Sequence, residues 1–393
     1  MRRAVGLKLI AGLAAAGLAL AACSSPSGSS ASSAAASVGS AAQSAASAAQ
    51  SAASSLTSRA GEAASSVQSR ASAAIASLTG DPSSVKLGLA YDVGGRGDQS
   101  FNDAAAAGLD KAAGEFGFKP QEATAVNGEN DAAREERLNQ LVDAGFTHII
   151  AVGFAYAGSV GKVAKENPDV HFAIIDDASD ASKGDNVAQL TFAENEGSFL
   201  VGAAAALKSK AGHVGFVGGV NVPLINKFEA GYVAGAKAVN PDIKIESNYL
   251  TQPPDVSGFG DPAKGETAAD GMFQKGADIV YHAAGGSGGG VFAAAKKAKG
   301  WAIGVDSDQA LTAEADVRDV ILTSMLKKLD VAVYDYLKDA QGGEEKSGNI
   351  VYDLKAGGVD YATTGGHIDD IKPKLDEYKA KIISGEIKVP DSM

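Results

Sequence analysis

Within eleven residues the chain offers a carboxylate, a hydroxyl, a phenyl ring and an amide, on Asp92, Ser100, Phe101 and Asn102. That set suits a flat molecule with polar edges. A ring can stack on Phe101, Asn102 both donates and accepts, and Asp92 only accepts. A phosphate cradle is not indicated, because a P-loop needs Lys-Ser or Lys-Thr after its glycines and this loop runs Gly97-Asp-Gln-Ser100. A plain strand-to-helix turn, with Phe101 in the core and Asn102 as a cap, accounts for the same residues, and the stretch alone leaves both readings open.

The elements that must hold these groups follow from the flanking pattern. Leu87, Leu89 and Ala90 form the short apolar run of a buried strand, and Gly94, Gly95 and Gly97 let the chain turn back. Ala104-Ala-Ala-Ala-Gly-Leu109 carries a helix, capped by Asn102 or Asp103 and stopped by Gly117. In an open parallel sheet the ligand crevice lies beyond the carboxyl ends of the strands, where this loop falls.

The same alternation of strand and helix continues through the chain, which predicts a doubly wound α/β fold. Asn130 or Asp131 caps a helix with Leu138, Leu141 and Val142 on one face, Gly145 ends it, and strands follow at 148–152, 171–175 and 186–192. A long Ala-rich helix spans 194–210, and then the pattern restarts: strands at 213–217, 243–250, 278–283 and 301–305 alternate with helices at 225–239, 261–275 and 289–299. Two such runs predict two lobes. A strand at 320–323 and a helix at 324–338 come after the second run, so the chain is expected to cross back. Asp176, Gly285 and Asp306 each close an apolar strand as Asp92 does, so four strand ends from both lobes could face one cleft. Singly, each acid is an ordinary turn residue or cap. Phe228 and Tyr232 share a helix face at i and i+4, which predicts core packing for both.

Several functions are disfavoured. Gly288-Gly-Gly290-Val-Phe-Ala293 fits the dinucleotide fingerprint and has Asp306 and Asp308 about 20 residues on, but such a turn normally follows the first strand of its domain. The five histidines, at 148, 171, 213, 282 and 367, show no ligand spacing, so no metal or cofactor is expected. Nucleophilic catalysis has no cysteine to offer, since the single cysteine is assigned to lipid attachment. The formal charge of −12 over 393 residues makes nucleic acid an unsuitable partner.

The N-terminus is organised differently. Arg2, Arg3 and Lys8 precede an apolar run over 9–22, the length of a signal-peptide core, so residues 1–22 are expected to be a cleaved leader. Leu20-Ala21-Ala22-Cys23 resembles the lipobox of bacterial lipoproteins. Cys23 is the only cysteine, which excludes disulfides, and acylation there would anchor the protein outside the cell membrane. Residues 23–84, mainly Ser, Ala and Gly, read as a tether, since they lack the apolar surface that would offset ordering. The remaining 309 residues exceed what one core usually serves. We expect an N-terminal lobe at 85–191, rejoined by about 322–342, and a C-terminal lobe at 192–321, to which about 343–393 is assigned.

Seven blocks in order carry a family resemblance: Leu89-Ala-Tyr-Asp-Val-Gly-Gly-Arg-Gly-Asp-Gln-Ser-Phe-Asn-Asp103, Gly218-Gly-Val-Asn-Val-Pro223, Phe228-Glu-Ala-Gly-Tyr232, Asp261-Pro-Ala-Lys-Gly265, Ala284-Gly-Gly-Ser-Gly288, Gly304-Val-Asp-Ser-Asp308 and Leu322-Thr-Ser-Met-Leu-Lys-Lys328. From residue 85 to the end the chain resembles the BMP family of basic membrane lipoproteins, purine-nucleoside-binding components of ABC importers. The resemblance implies a type I periplasmic-binding-protein fold with two parallel-sheet lobes and three hinge crossings, and partnership with an ABC permease and its ATPase. It further implies that Asp92 and Asn102 bond the base edge, with Phe101 and Phe259 stacking on its faces. Asp176 and Asp306 would accept from ribose hydroxyls, Gly285 would offer backbone, and Lys327 would bond the sugar or balance the acids; Asp177, Asp308 and Lys328 are the neighbouring alternatives. Guanosine, inosine or adenosine is the ligand expected. A receptor for a sugar or signalling compound and a nucleoside-processing enzyme are the rival readings, the latter without the Asp-dense first strand of calcium-dependent hydrolases.

Overall fold

A computed structural model describes residues 85–393. The expected leader, Cys23 and the tether lie outside the described residues. Two six-stranded sheets organise the chain. In the first, β1 (Leu87–Ala90), β2 (Gln121–Ala123), β3 (His148–Ala151), β4 (His171–Ile175), β5 (Val187–Phe192) and β11 (Gly348–Tyr352) lie in the order β11-β5-β4-β3-β1-β2, all parallel. In the second, β6 (His213–Val220), β7 (Lys244–Thr251), β8 (Ile279–Ala283), β9 (Trp301–Asp306), β10 (Ile321–Lys327) and β12 (Val359–Tyr361) lie in the order β12-β10-β9-β8-β6-β7, with only β12 antiparallel.

The doubly wound, two-lobe architecture expected from the alternation is therefore present. Each sheet reverses strand order beside its first strand, between β1 and β3 and between β6 and β8, and that point is where open α/β sheets receive ligands. Central strands read as continuous apolar runs because helices cover both faces: β1, β3 and β8 are buried throughout.

Three connections pass between the lobes: from β5 into helix Glu194–Lys208, from β10 into helix Leu329–Gln341, and from β11 to β12. The return to the first lobe differs from expectation. The stretch 324–327, read as the start of a helix, continues β10, with Ser324, Met325 and Leu326 paired to Gly304, Val305 and Asp306. Strand pairing on both sides, with β9 and β12, overrides the helical preference of Met and Leu there. Only helix Leu329–Gln341 crosses, stacking Tyr334 on Phe116 with ring centroids 5.9 Å apart. Within 343–393, β11 extends the first sheet while β12 and helix Lys372–Ile383 join the second lobe, Tyr378 meeting Phe199 at 5.5 Å.

In the second lobe, helices Glu194–Lys208 and Pro223–Val239 approach so closely that only glycine fits the contact. A Cβ on Gly235 would stand 1.9 Å from the Phe199 carbonyl oxygen, and one on Gly202 would stand 2.1 Å from that of Tyr232. An exposed helical Gly→Ala change gains about 1 kcal/mol of helix propensity. Here the sign reverses, and Gly235→Ala should destabilise by roughly 1–3 kcal/mol through overpacking, read as a lower urea midpoint with unchanged slope. A neutral or stabilised variant would contradict the tight approach.

Candidate functional site

The site is built from strand ends. At or just past the ends of β1, β4, β9 and β10 stand Asp92, Asp176, Asp306 and Lys327, which line one cavity. Phe101, Asn102, Gly285 and Phe259 share its wall. Eight of the nine cleft residues expected from sequence thus converge; Ser100 is the exception. Its hydroxyl instead donates to Asp306 Oδ2 at 2.6 Å, from one lobe to the other.

The loop after β1 holds its shape through its own acids. Helix Phe101–Phe116 begins two residues earlier than the expected caps allow, and Ser100 at its N-cap makes no side-chain capping bond. Asp98 does that work: Oδ1 accepts from the Ser100 and Asp103 amides, and Oδ2 accepts from the Asn102 amide. Asp103 accepts from Gly97 and Gln99. Asn102, expected to face a ligand edge, directs its amide inward: Oδ1 accepts from Asp92 N at 3.0 Å, and Nδ2 donates to Val93 O and Asp98 Oδ2. It is a loop fastener on the cavity wall, because the expected helix cap is supplied by Asp98 and both its amide protons are taken.

Two acids occupy an uncommon backbone conformation. Asp176 has φ of 70° and Asp306 φ of 64°, the left-handed region that Asp enters more readily than most residues. The turn aims each carboxyl into the cleft. The alternatives fall elsewhere: Asp177 accepts from Ser179 and Ser182, and Asp308 accepts from Thr364. Gly153, at the end of β3, makes room for Asp92, since a Cβ there would meet Asp92 Oδ2 at 2.3 Å.

Lys327 is fully enclosed, 1% exposed. Its ammonium donates to Asp176 Oδ2 at 2.6 Å and pairs with Glu194 Oε1 at 3.1 Å. The rings of Phe101, Phe192 and Phe228 surround it at 5.1–5.4 Å. Burial works against its charge, yet Asp176, Glu194 and Asp306 together hold it above the ordinary lysine range. Burial pushes the Asp92 and Asp176 carboxyls up to about 6 and that of Asp306 to about 7, with Lys327 pulling the latter two back down.

Four contributors escaped the sequence reading. Asp98 and Glu194 resemble any helix-start acid, and Phe154, which lines the cavity, stands edge-on to Phe259 at 6.3 Å. Phe228, expected in the core, is buried at 3% exposure but also forms cavity wall, whereas Tyr232 is wholly internal. Phe259 is seated by Ser287, whose hydroxyl donates to Gly258 O at 2.7 Å and accepts from Asp261 N at 2.8 Å. The fingerprint-like glycines prove to be packing residues: a Cβ on Gly290 would stand 1.8 Å from Pro262 O, and one on Gly288 would meet the His282 ring.

The arrangement predicts how stability depends on pH. An unfolded aspartate titrates near 3.8 and the folded Asp306 near 7, so between these values the folded chain binds more protons and this contribution weakens as pH rises. Lys327→Met removes the counter-charge, and should destabilise by roughly 3–5 kcal/mol at about pH 7.5 but by less at about pH 5, where the acids take up protons. Urea titrations of both proteins at the two pH values decide this. Equal losses at both would mean that no carboxylate charge is left uncompensated.

Comparison with known proteins agrees with the architecture. Residues 85–393 match the family model Bmp, described as ABC transporter substrate-binding protein PnrA-like. A CD4+ T-cell-stimulating antigen of Listeria monocytogenes is 37% identical over 78% of this chain and 88% of its own. The ABC transporter nucleoside-binding protein BmpA of Lactococcus lactis is 35% identical, over 78% of this chain and 90% of that protein. Among solved structures, a solute-binding protein of an ABC transporter system from Aeropyrum pernix superposes with a TM-score of 0.68 at 31% identity, covering 78% of this chain and 94% of that one. One from Conexibacter woesei gives 0.63 at 26% identity, over 78% and 99%. The last three are named as binding proteins of ABC transporters, not as enzymes, and the fold is that of periplasmic solute-binding proteins. The chain belongs to the Bmp family of PnrA-like ABC transporter substrate-binding proteins.

Proposed function

We propose that the cleft binds a purine nucleoside, which the protein delivers to an ABC permease and its ATPase. The observation that carries the reading is the pairing of two half-exposed rings from opposite lobes, Phe101 and Phe259, with strand-end carboxylates on the same cavity wall. A base between two rings gains about 1–3 kcal/mol per stacking contact. Carboxylates accept both protons of a diol, and Asp176 Oδ1 is a buried oxygen with no hydrogen-bond partner in the protein.

Charge supports nucleoside over nucleotide. Four carboxylates line the cavity, from Asp92, Asp98, Asp176 and Asp306, against the single ammonium of Lys327, which is already paired. A phosphate would face uncompensated repulsion in a site of low dielectric. A ligand touching both lobes favours their closed arrangement through exactly those shared contacts, and release follows when they open. Acylation at Cys23 would hold the protein on the outer face of the cell membrane beside its permease; among the described residues no helix is long and apolar enough to cross a membrane.

Guanosine, inosine or adenosine should raise the melting temperature, and ribose or nucleoside monophosphates should do little. Phe101→Ala and Phe259→Ala should each weaken nucleoside binding by about 1–3 kcal/mol with little loss of stability, measured by calorimetry and thermal melts. Stabilisation by ribose alone would turn the reading toward a sugar receptor. Release of free base from inosine with turnover would refute a binding role.

A further inference from the structure

A second set of contacts joins the lobes away from the cavity. The Gln99 carbonyl, in the first lobe, accepts from Gln309 Nε2 at 3.0 Å and from Thr312 Oγ1 at 3.2 Å, both in the second. Beside it, Ser307 Oγ donates to Ser100 O at 3.3 Å and Gln99 Nε2 donates to Glu314 Oε1 at 3.0 Å. None of these residues lines the cleft.

Gln309 is oriented for this contact from within its own lobe. The Val305 amide donates to Gln309 Oε1 at 2.8 Å, and a backbone N–H can only donate, so the oxygen must face inward. His282 Nε2 stands 3.0 Å from the same oxygen and acts as a second donor in its Nε2–H tautomer. The Gln309 backbone amide is fixed by Ser324 Oγ at 3.1 Å. The side chain, 2% exposed, therefore has one direction left for its Nε2 protons, toward the other lobe. On the opposing side Gln99 is held at φ of 56°, uncommon for a non-glycine residue, with Asp103 accepting from its amide at 3.0 Å.

We propose that Gln309, Thr312 and Ser307 form a clasp on the Gln99–Ser100 carbonyls, and that these positioning residues set the closed-to-open balance of the lobes without touching the ligand. A donor fixed in this way adds to the closed form whatever occupies the cleft, so the clasp acts on release more than on capture. Its strength is a property of the chain and does not depend on the nucleoside reading.

The test uses the full chain with Cys23→Ser and nitroxide labels at Val126→Cys and Ala263→Cys, exposed positions on the first and second lobes. Electron-electron resonance then reports the distances between labels. Thr312→Val with Ser307→Ala, changes at exposed and half-buried positions, should lower the ratio of short to long distances roughly tenfold, two neutral hydrogen bonds being lost. Gln309→Glu keeps an acceptor for Val305 N but cannot donate to Gln99 O, and should shift the ratio in the same direction. Where guanosine binds, its dissociation should accelerate roughly tenfold with association unchanged. Identical distance distributions in the parent and both variants would overturn the clasp. Failure of guanosine to bind would refute the ligand reading and leave the label distances to decide the clasp.

Discussion

An ammonium moved out of water loses several kcal/mol of solvation, and the loss is made good only where carboxylates and polarisable faces replace the water. Lys327 is such a group, with Asp176 from the first lobe, Glu194 from the first crossing helix, and three phenyl rings around it. It stands at the last residue of β10, immediately before the second crossing. The ion cluster therefore sits where the chain passes between lobes, and neither lobe can relax alone without leaving a buried charge unpaired. Its value lies in positioning: a buried ion pair contributes little net stability, but breaking one is expensive.

The rest of the site follows from that arrangement. Parallel strands point their carboxyl ends the same way, so residues at or just past the ends of β1, β4 and β9 meet in one space despite lying far apart in the chain. The left-handed turns at Asp176 and Asp306 and the missing side chain at Gly153 are local concessions that let three carboxyls share it. Mutual repulsion and burial both raise these acids' affinity for protons. Membership of a transporter binding-protein family gives the cleft its purpose, and each lobe contributes a ring to its lining.

Much of this was readable from residue order. The strand-loop-helix beginning at Leu87, the two runs of alternation and the acids closing the strands depend on local pattern, and local pattern survives without a partner. What escaped were features whose cause is nonlocal. β2, β11 and β12 are short edge strands with polar residues, such as Gln121-Glu122-Ala123, that form because a neighbouring strand is there. The end of β10 was misread because Met325 and Leu326 suit helix and strand alike until β9 and β12 flank them.

By itself the sequence determined the periodicity, the two-lobe plan, the aromatic and acidic residues available and the family blocks, since each is a matter of residue type and spacing along the chain. Only the tertiary structure decided that Asn102 fastens its loop, that Ser100 bridges to Asp306 and that Gln309 reaches Gln99. Hydrogen bonds are short and directional, so their partners are chosen by where the backbone finally lies, and that position is set by every element packed around it.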